Sequence, residues 1–389
     1  MTALDTPSVS TRPRWLGVGA VTLGIFLIVT TEILPIGLLG PMADEFRVSA
    51  GRAGLLMTVP GLVAAVAAPV ITVVTGRLDR RVMLGGLMVL LAGADFLAAG
   101  ASQYWVELVA RVMVGMVIGG FWSIGAGLAA RLVPERWVVR ATAVIFSAVP
   151  LGSVLGVPAG TFVGERFGWR VPFVVLGVAA VGVLAGLLAV VPALPPLQVT
   201  RVAVLRDVLR LKQTKLALVA TCLIVTAHFG PYTYVTPFLR DVTGTSNISQ
   251  LLLLYGAAGL AGNFLAGTTA ANHLRATFIT SATLIAAATL LLPVLGHTTT
   301  AAAALLVIWG VGYGAVPVCS MTWFAQAAPG AREAATVLFT SSFQATLSTG
   351  ALLGGLVVDA GSVSTVMLCG GLAALLMVLV VSASVLDRR

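Results

Sequence analysis

Long apolar runs separated by short polar segments dominate the sequence. Each run is close to the twenty or so residues that a helix needs to cross the hydrocarbon core of a bilayer. The alternation of apolar and polar residues expected of a membrane-spanning β-barrel is absent. The pattern therefore predicts an all-α membrane protein with twelve transmembrane helices, numbered here as spans 1 to 12. Their predicted bounds are 15–39, 53–75, 82–101, 105–130, 141–163, 171–192, 216–239, 250–271, 276–295, 301–324, 334–358 and 364–386.

The composition agrees with this picture and excludes other classes of protein. Hydrophobic residues make up 58% of the 389 positions, charged residues only 10%, and the mean hydropathy is +1.04. A soluble domain carries about a quarter charged residues and has too little interior to hide so much apolar surface. A water-soluble enzyme, a disordered chain and a fibrous protein are therefore excluded. The three cysteines lie inside apolar runs, so neither a disulfide framework nor a cysteine metal site is expected.

The distribution of basic residues predicts the orientation. With the N-terminus in the cytoplasm, 17 of the 23 basic residues fall on the inner side, five on the outer side and Arg111 within a span. Such a bias favours both termini inside. It also explains the net charge of +9 without a nucleic-acid partner. The first run is about 25 residues long and has no small-residue cleavage site, so we interpret it as span 1 and not as a signal peptide.

The longest polar loop divides the chain into two sets of six spans. We predict an N-terminal six-helix bundle at 1–192, a cytoplasmic linker at 193–215 and a C-terminal six-helix bundle at 216–389. Gly76 and Gly267 each open a polar loop and stand 191 residues apart, which indicates a weak internal repeat. Within the linker, VAVLRDVLRLKQTK has the spacing of a short amphipathic helix on the membrane surface. A solvated linker is the alternative.

Four ionisable side chains are predicted deep inside spans: Glu32, Asp95, Arg111 and His228. Such groups face the bundle interior and commonly serve function. Glu32 is our candidate proton carrier, the alternative being a glutamate that only ties helices together. Arg111 either forms a structural ion pair with Glu107, one turn away, or has a functional role. In that role it would influence the ionisation of Glu32 or Asp95, or hold an anionic or polar substrate group. Asp95 either neutralises Arg111 or is a second proton site.

Aromatic and amide residues provide the candidate substrate site. His228 begins the segment HFGPYTYVTPF, in which Gly230 and Pro231 favour a kink. Its rings and hydroxyls suit a sugar or a drug, the alternative being an aromatic packing face. The predicted substrate-binding residues are His228, Tyr232, Tyr234, Phe238, Asn263, Trp309, Tyr313 and Gln344.

Span 5 carries a ridge of glycines at intervals of four. The ridge consists of Gly152, Gly156, Gly160 and Gly164, with Pro158 between them. It allows a partner backbone to approach closely, either as ordinary packing or as a hinge or seam between the halves. The chain has no P-loop, no zinc-binding spacing and no convincing nucleophile motif, so we expect no enzyme activity, cofactor or metal. Uphill work would therefore draw on an ion gradient.

These features together resemble the major facilitator superfamily over nearly the whole chain, and within it the drug:proton antiporter branch. The stretches TTEILPIGLL, FWSIGAGLAARLVP, VLGVPAGTFVGERFGWR and VTAHFGPYTYVTPF are similar to those of bacterial sugar efflux transporters, which export arabinose and thiogalactosides. The resemblance implies alternating access through a central cavity lined by spans 1, 4, 7 and 10. It implies that Gly76, Asp79 and Arg80 act in the inner gating loop, that Arg111 assists the proton step and that the span 5 ridge favours antiport.

The sequence therefore predicts a proton-coupled exporter of a small polar or amphipathic solute, with sugars or sugar-like compounds first. The predicted setting is a bacterial inner membrane, and the predicted partners are solute, protons and lipid around a monomer. Two alternatives share this fold: a multidrug or antibiotic:proton antiporter, and a facilitator without proton coupling. A membrane-embedded enzyme or receptor is a third, less favoured class, because no large soluble domain is inserted in the chain.

Overall fold

The computed structural model describes residues 14–75, 78–194, 202–244 and 247–386, and the regular structure in these ranges is helical. We number the α-helices α1 to α16 in chain order. They are Trp15–Ile33, Pro35–Phe46, Ala50–Ala53, Leu55–Val74, Arg80–Ala99, Tyr104–Leu132, Val138–Leu151, Val157–Phe167, Arg170–Val190, Val202–Arg210, Lys212–Thr233, Val235–Thr243, Ile248–Leu295, Thr299–Ala327, Arg332–Ala360 and Val363–Leu386.

Within the described ranges, ten helical segments are long and apolar enough to cross a membrane. One of them, α13, has 48 residues. At 1.5 Å per residue it would span about 72 Å, more than twice a bilayer. His273 interrupts it with non-helical angles (φ −130°, ψ 45°), so α13 is two helices joined at a kink, matching predicted spans 8 and 9. Gly267 lies inside the first of them, and its prediction as the start of a loop is wrong, because the helix continues to the kink. The exact number of twelve spans stays a prediction.

The helices pack as two groups. In the N-terminal group, α4 packs on α6, α5 on α9 and α1 on α7; in the C-terminal group, α13 packs on α14 and α16, and α11 on α15 and α16. Between the groups lies α10, so the amphipathic segment of the linker is helical. It packs on α11 and α15 and buries Val208, while Arg206 and Arg210 are exposed. The domain bounds themselves stay a prediction.

Span 1 is broken near its middle and is longer than predicted. Its first part, α1, ends at Ile33, and α2 continues from Pro35 to Phe46. Proline has no backbone N–H, so the carbonyl of Thr31, four residues earlier, lacks its helical partner. An equivalent break follows Pro231, where Tyr234 leaves the helical region (φ −108°, ψ 15°) between α11 and α12. Both groups therefore begin with a helix that bends inside the bundle.

The glycine ridge of span 5 packs against span 1. Any side chain at Gly156 would overlap Thr30, and side chains at Gly160 and Gly164 would meet Leu34 and Leu38. The contacted residues are spaced by four, as the glycines are, so the two helices interlock along one line. Gly152 opens a π-helical turn, Gly152–Gly156, which precedes Pro158 in α8. The four glycines therefore face span 1 of their own group, while the same span also contacts α13 of the C-terminal group, where Gly256 lies against Val154. A role of the ridge as a hinge or seam stays a prediction.

The two groups meet at the end of the bundle where α2 ends and α4 begins, called here the far end. The carboxylate of Asp359, at the end of α15, accepts hydrogen bonds from the Ser49 hydroxyl (2.8 Å) and from the Gly51 N–H (3.0 Å) at the start of α3. An anion at a helix N-terminus is favourable because the first N–H groups have no helical partner. The Thr236 hydroxyl donates to the Ile36 carbonyl (2.7 Å), and Ser249 donates to Glu165 (3.1 Å).

Candidate functional site

Glu32 lies where the two groups meet in the middle of the bundle. Its Oε1 accepts a hydrogen bond from Nε2 of Gln344 on α15 at 2.8 Å. Both side chains are buried, with 6% and 7% exposure. On the neighbouring helix α4, a side chain at Gly61 would overlap the Ser348 hydroxyl, so α4 and α15 approach closely beside this hydrogen bond. The hydrogen bond between Glu32 and Gln344 thus joins the N-terminal group to the C-terminal group, and we call it the junction. The sequence predicted different roles for these two residues.

A second polar cluster, the buried charge cluster, consists of Asp95, Glu107 and Arg111. Arg111 donates from Nε and Nη2 to the same oxygen, Oε1 of Glu107, at 2.9 and 2.8 Å. The Thr31 hydroxyl lies 3.3 Å from Oδ2 of Asp95. All three cluster members are at most 1% exposed. The i,i+4 ion pair between Glu107 and Arg111 is present, as its spacing indicates.

The break in span 1 explains the position of Arg111. Pro35 leaves the Thr31 carbonyl without a helical donor, and Nη1 of Arg111 donates to that carbonyl at 2.9 Å. The guanidinium also lies 5.0 Å from the ring centre of Phe173, a cation–π distance. Arg111 therefore joins α6 to α1 at the turn before the break.

The aromatic cluster surrounds His228 on the other side of the junction. It consists of His228, Tyr232, Tyr255, Trp309 and Tyr313, from helices α11, α13 and α14. Tyr313 stacks on the imidazole with centroids 3.5 Å apart and an interplanar angle of 9°, and Tyr232 stacks at 4.9 Å and 24°. Tyr255 stacks on Tyr232 at 4.7 Å. The Phe229 ring lies 5.7 Å from the Tyr313 ring and 6.2 Å from that of Phe343, the residue before Gln344, so the cluster adjoins the junction.

The hydrogen bonds of His228 determine which ring nitrogen carries the hydrogen. Nε1 of Trp309 lies 3.0 Å from Nδ1 of His228. An indole nitrogen can only donate, so Nδ1 accepts and carries no proton. The imidazole is therefore neutral, with its hydrogen on Nε2, which lies 3.5 Å from the Tyr255 hydroxyl. In this conformation His228 is an oriented hydrogen-bond donor, not a charged group.

The structure brings together His228, Tyr232, Trp309 and Tyr313 but separates other predicted substrate residues from them. Tyr234 follows the break in span 7, and its hydroxyl lies 3.0 Å from the Ala351 carbonyl and 3.4 Å from that of Gly51, at the far end. Phe238 is buried on α12, beyond the same break. Asn263 is half-buried on α13, where Gly314 of α14 approaches its backbone. Tyr234 thus joins the two groups at the far end.

The sequence pattern did not predict two residues of the site, Tyr255 and Thr31. Tyr255 has the same signal that selected Tyr313, a hydroxyl within an apolar run, but no neighbouring histidine or proline drew attention to it. Thr31 bonds Asp95 through its hydroxyl and Arg111 through its carbonyl. Threonines are common in spans and usually bond their own helix, as Thr30 does with the Phe26 carbonyl. Only the packing of α1 on α5 and α6 distinguishes Thr31 from Thr30.

The structure describes only part of the predicted gating loop. Gly76 lies outside the described residues. The Asp79 carboxylate caps α5 by accepting the Arg81 N–H at 2.8 Å. The Arg80 guanidinium donates to the Thr75 carbonyl at 3.1 Å, and its backbone N–H donates to the Leu194 carbonyl at 2.8 Å. These contacts tie the loop to α4, α5 and the segment after α9.

Similar proteins of known sequence are bacterial. The chain is 32% identical over 377 residues to the purine ribonucleoside efflux pump NepI of Salmonella paratyphi A, covering 96% of this chain and 95% of that protein. It is 33% identical over 368 residues to the transcription regulatory protein OpdE of Pseudomonas aeruginosa, covering 92% of this chain and 91% of that protein. Both relatives match nearly end to end.

Solved structures with a similar fold are transporters. A bacterial homologue of the human lysosomal transporter Spinster, in an inward-facing and occupied conformation, superposes with a TM-score of 0.75 at 16% identity over 96% of each chain. The human organic anion transporter MFSD10 superposes with a TM-score of 0.68 at 16% identity over 95% of this chain and all of that chain. The sequence profile of the Major Facilitator Superfamily matches residues 21–345. The protein is a multi-pass membrane transporter and not an enzyme, and it belongs to the major facilitator superfamily.

Proposed function

We propose that the protein exports a small sugar-bearing solute in exchange for protons, by alternating access. The observation that carries the proposal is the junction of Glu32 with Gln344, because a buried carboxyl group there belongs to both helix groups at once. The aromatic cluster adjoins it. A proton on Glu32 and a solute beside Glu32 would therefore both affect the hydrogen bond between Glu32 and Gln344.

The proton half of the proposal rests on the chemistry of the junction. A carboxylate buried among apolar residues is costly unless it is hydrogen-bonded or protonated. Gln344 is a neutral amide that can donate to the ionised form of Glu32 and accept from the protonated form, so either state keeps a partner. Glu32 thereby suits a group that binds and releases a proton in each cycle. Arg111 acts on Glu32 indirectly, by holding the turn of α1 that carries it.

The solute half rests on the aromatic cluster. Stacked rings bind planar heterocycles, and the His228 Nε2–H and the tyrosine hydroxyls offer hydrogen bonds. The NepI relative is named for purine ribonucleosides, which combine a planar base with a sugar. Purine ribonucleosides are therefore the first solutes to test within the sugar-bearing class, followed by free sugars.

The contacts at the far end support an inward-facing state. Hydrogen bonds from the Gly51 N–H to Asp359, from the Tyr234 hydroxyl to the Gly51 carbonyl and from the Thr236 hydroxyl to the Ile36 carbonyl join the two groups there. With both termini in the cytoplasm of a bacterial cell, the far end is the outer side of the inner membrane, and these contacts close the outer entrance. Asp79 and Arg80 would act at the opposite, cytoplasmic side. We propose that a single chain is the working unit, because the junction and the aromatic cluster are complete within it.

The test is solute accumulation in proteoliposomes. With an acidic interior, an antiporter lets protons leave and drives labelled solute inward against its own gradient, and a protonophore abolishes the accumulation. Nucleosides, arabinose and a lipophilic cation would be compared as substrates and competitors. Accumulation of the lipophilic cation alone would favour a multidrug antiporter. Equilibration without accumulation would favour a facilitator, and no solute movement would favour a regulatory role such as that named for OpdE.

A further inference from the structure

The buried charge cluster contains two carboxyl groups and one guanidinium. Asp95 and Glu107 are fully buried and Arg111 is 1% exposed. If both carboxyl groups were ionised, the cluster would carry a net negative charge in a medium of low polarity. Burying an uncompensated charge is strongly unfavourable, and a buried acid removes the cost by keeping its proton. Electrical neutrality of the cluster therefore requires one bound proton.

The hydrogen bonds show which acid holds that proton. Arg111 directs two N–H groups at Glu107 and the third at the Thr31 carbonyl. Asp95 has only the Thr31 hydroxyl, at 3.3 Å. Each acid also has one buried oxygen with no hydrogen-bond partner among the described residues, Oδ1 of Asp95 and Oε2 of Glu107, so the bonds from Arg111 are what distinguish the two. Glu107 is thus the partner of the guanidinium, and the proton belongs on Asp95.

In the described part of the chain, the helices packed against α5 carry two cations between the middle of the bundle and the far end, Arg111 and Arg170. Helices α1, α6 and α9 pack against α5. Arg170, at the start of α9, is paired with Glu45. The titratable and charged side chains that these helices carry from the middle of the bundle to the far end are Glu32, Tyr104, Glu107, Arg111 and Arg170. Asp95 therefore depends on the cluster itself for compensation.

We infer that Asp95 is a second proton-binding site, distinct from Glu32, whose proton is exchanged when α1 moves. Its use in transport rests on the proposed function. Thr31 contacts the cluster through both its hydroxyl and its carbonyl, beside the break at Pro35. If α1 moves, Arg111 loses the Thr31 carbonyl and gains freedom to pair with Asp95. The same movement admits water to the cluster, so the carboxyl group of Asp95 releases its proton to that water, and hydration together with Arg111 compensates the two carboxylates.

Infrared spectroscopy tests the bound proton without any solute. Purified protein in lipid vesicles at neutral pH should show the carbonyl stretch of a protonated carboxyl group. Asp95→Asn should remove one such band and leave that of the Glu32 carboxyl group, whereas the exposed control Asp44→Asn should leave both unchanged. Glu32→Gln should also retain the Asp95 band. A spectrum that Asp95→Asn leaves unchanged, or a band that only Glu107→Gln removes, overturns the assignment.

Proton stoichiometry tests its use in transport. The solute gradient that just balances an imposed pH gradient should correspond to two protons per solute in the native protein and one in Asp95→Asn. One proton per solute in both proteins would show that the Asp95 proton is not exchanged and would overturn this part of the inference. If Asp95→Asn does not transport, the native value still decides between two protons and one. Failure of the native protein to move any solute would overturn the proposed function, while the infrared result would still decide where the proton lies.

Discussion

Thr31 and Glu32 are consecutive residues of α1, and their side chains enter different parts of the site. The Thr31 hydroxyl meets Asp95 inside the N-terminal group, whereas the Glu32 carboxyl group meets Gln344 of the C-terminal group. Successive side chains of a helix point about 100° apart, so a single turn of α1 contacts both Asp95 and Gln344. A shift or rotation of α1 would change both contacts together, which is a physical route from a proton to the packing of the two groups.

Cross-linking the far end should stop transport. The Ser49 hydroxyl and the Asp359 carboxylate are 2.8 Å apart, so cysteines at both positions should form a disulfide in the state seen here. We expect mild oxidation of Ser49→Cys/Asp359→Cys to abolish solute transport and a reductant to restore it. The single variants control for the native cysteines. Undiminished transport by cross-linked protein would show that the far end does not need to open.

The glycine ridge should be intolerant of even a methyl group. In Gly156→Ala the new Cβ would overlap the Thr30 hydroxyl, which should lower the free energy of unfolding by about 1–3 kcal/mol. Gly182→Ala on α9 is the matched control, because the space beside Gly182 is open. Thermal unfolding in detergent measures both. Equal melting temperatures for the two variants would show that the interlocking of α8 with α1 contributes little.

The stack on His228 should matter for solutes with a planar base. Tyr313→Phe keeps the ring that lies 3.5 Å from the imidazole centroid, whereas Tyr313→Ala removes it. Since base stacking on an aromatic side chain contributes about 1–3 kcal/mol, we expect Tyr313→Ala to raise KM for a purine ribonucleoside roughly 5- to 150-fold. Tyr313→Phe should stay near the native value. A similar loss in both variants would assign the effect to the hydroxyl.

An ion pair at the far end should give the stability a small acidic dependence. Hydrogen bonds from Arg170 and from the Trp169 indole lower the pKa of the Glu45 carboxyl group. A depressed pKa contributes stability above the unfolded-state pKa, and this contribution is lost as the pH falls through the folded-state pKa. Because Glu45 is 46% exposed, the effect should stay within about 1 kcal/mol. Melting temperatures of the native protein and Glu45→Gln should differ at pH 7 and converge in acid.

The helical architecture was predictable because it follows from a strong and local signal. Without water in the bilayer core, backbone groups bond within helices, so each apolar run identifies an element. The kink at His273 falls inside the predicted gap between spans 8 and 9. The extension of span 1 to Phe46 was missed, because its last residues are polar and belong to the helix beyond the apolar run.

The site was only partly predictable, because its residues meet through packing. Ionisable groups are rare in apolar runs, and on this basis the sequence predicted four residues of the site: Glu32, Asp95, Arg111 and His228. Sequence spacing also gave the pair of Glu107 with Arg111. Spacing could not show that Gln344 meets Glu32, or that Tyr234 bonds at the far end, because those contacts join residues more than 110 positions apart. The role of Thr31 follows only from the three-dimensional structure, in which Arg111 reaches the carbonyl that Pro35 leaves without a donor.

In the proposed cycle, binding of the solute displaces a proton from Glu32. Purified protein in weakly buffered detergent solution, mixed with a purine ribonucleoside or a sugar, reports this through the pH. We predict acidification with the native protein and with the exposed control Glu135→Gln, and a loss of the Glu32 contribution in Glu32→Gln. Equal acidification in the native protein and in Glu32→Gln, or solute binding to the native protein without any proton release, would contradict the account.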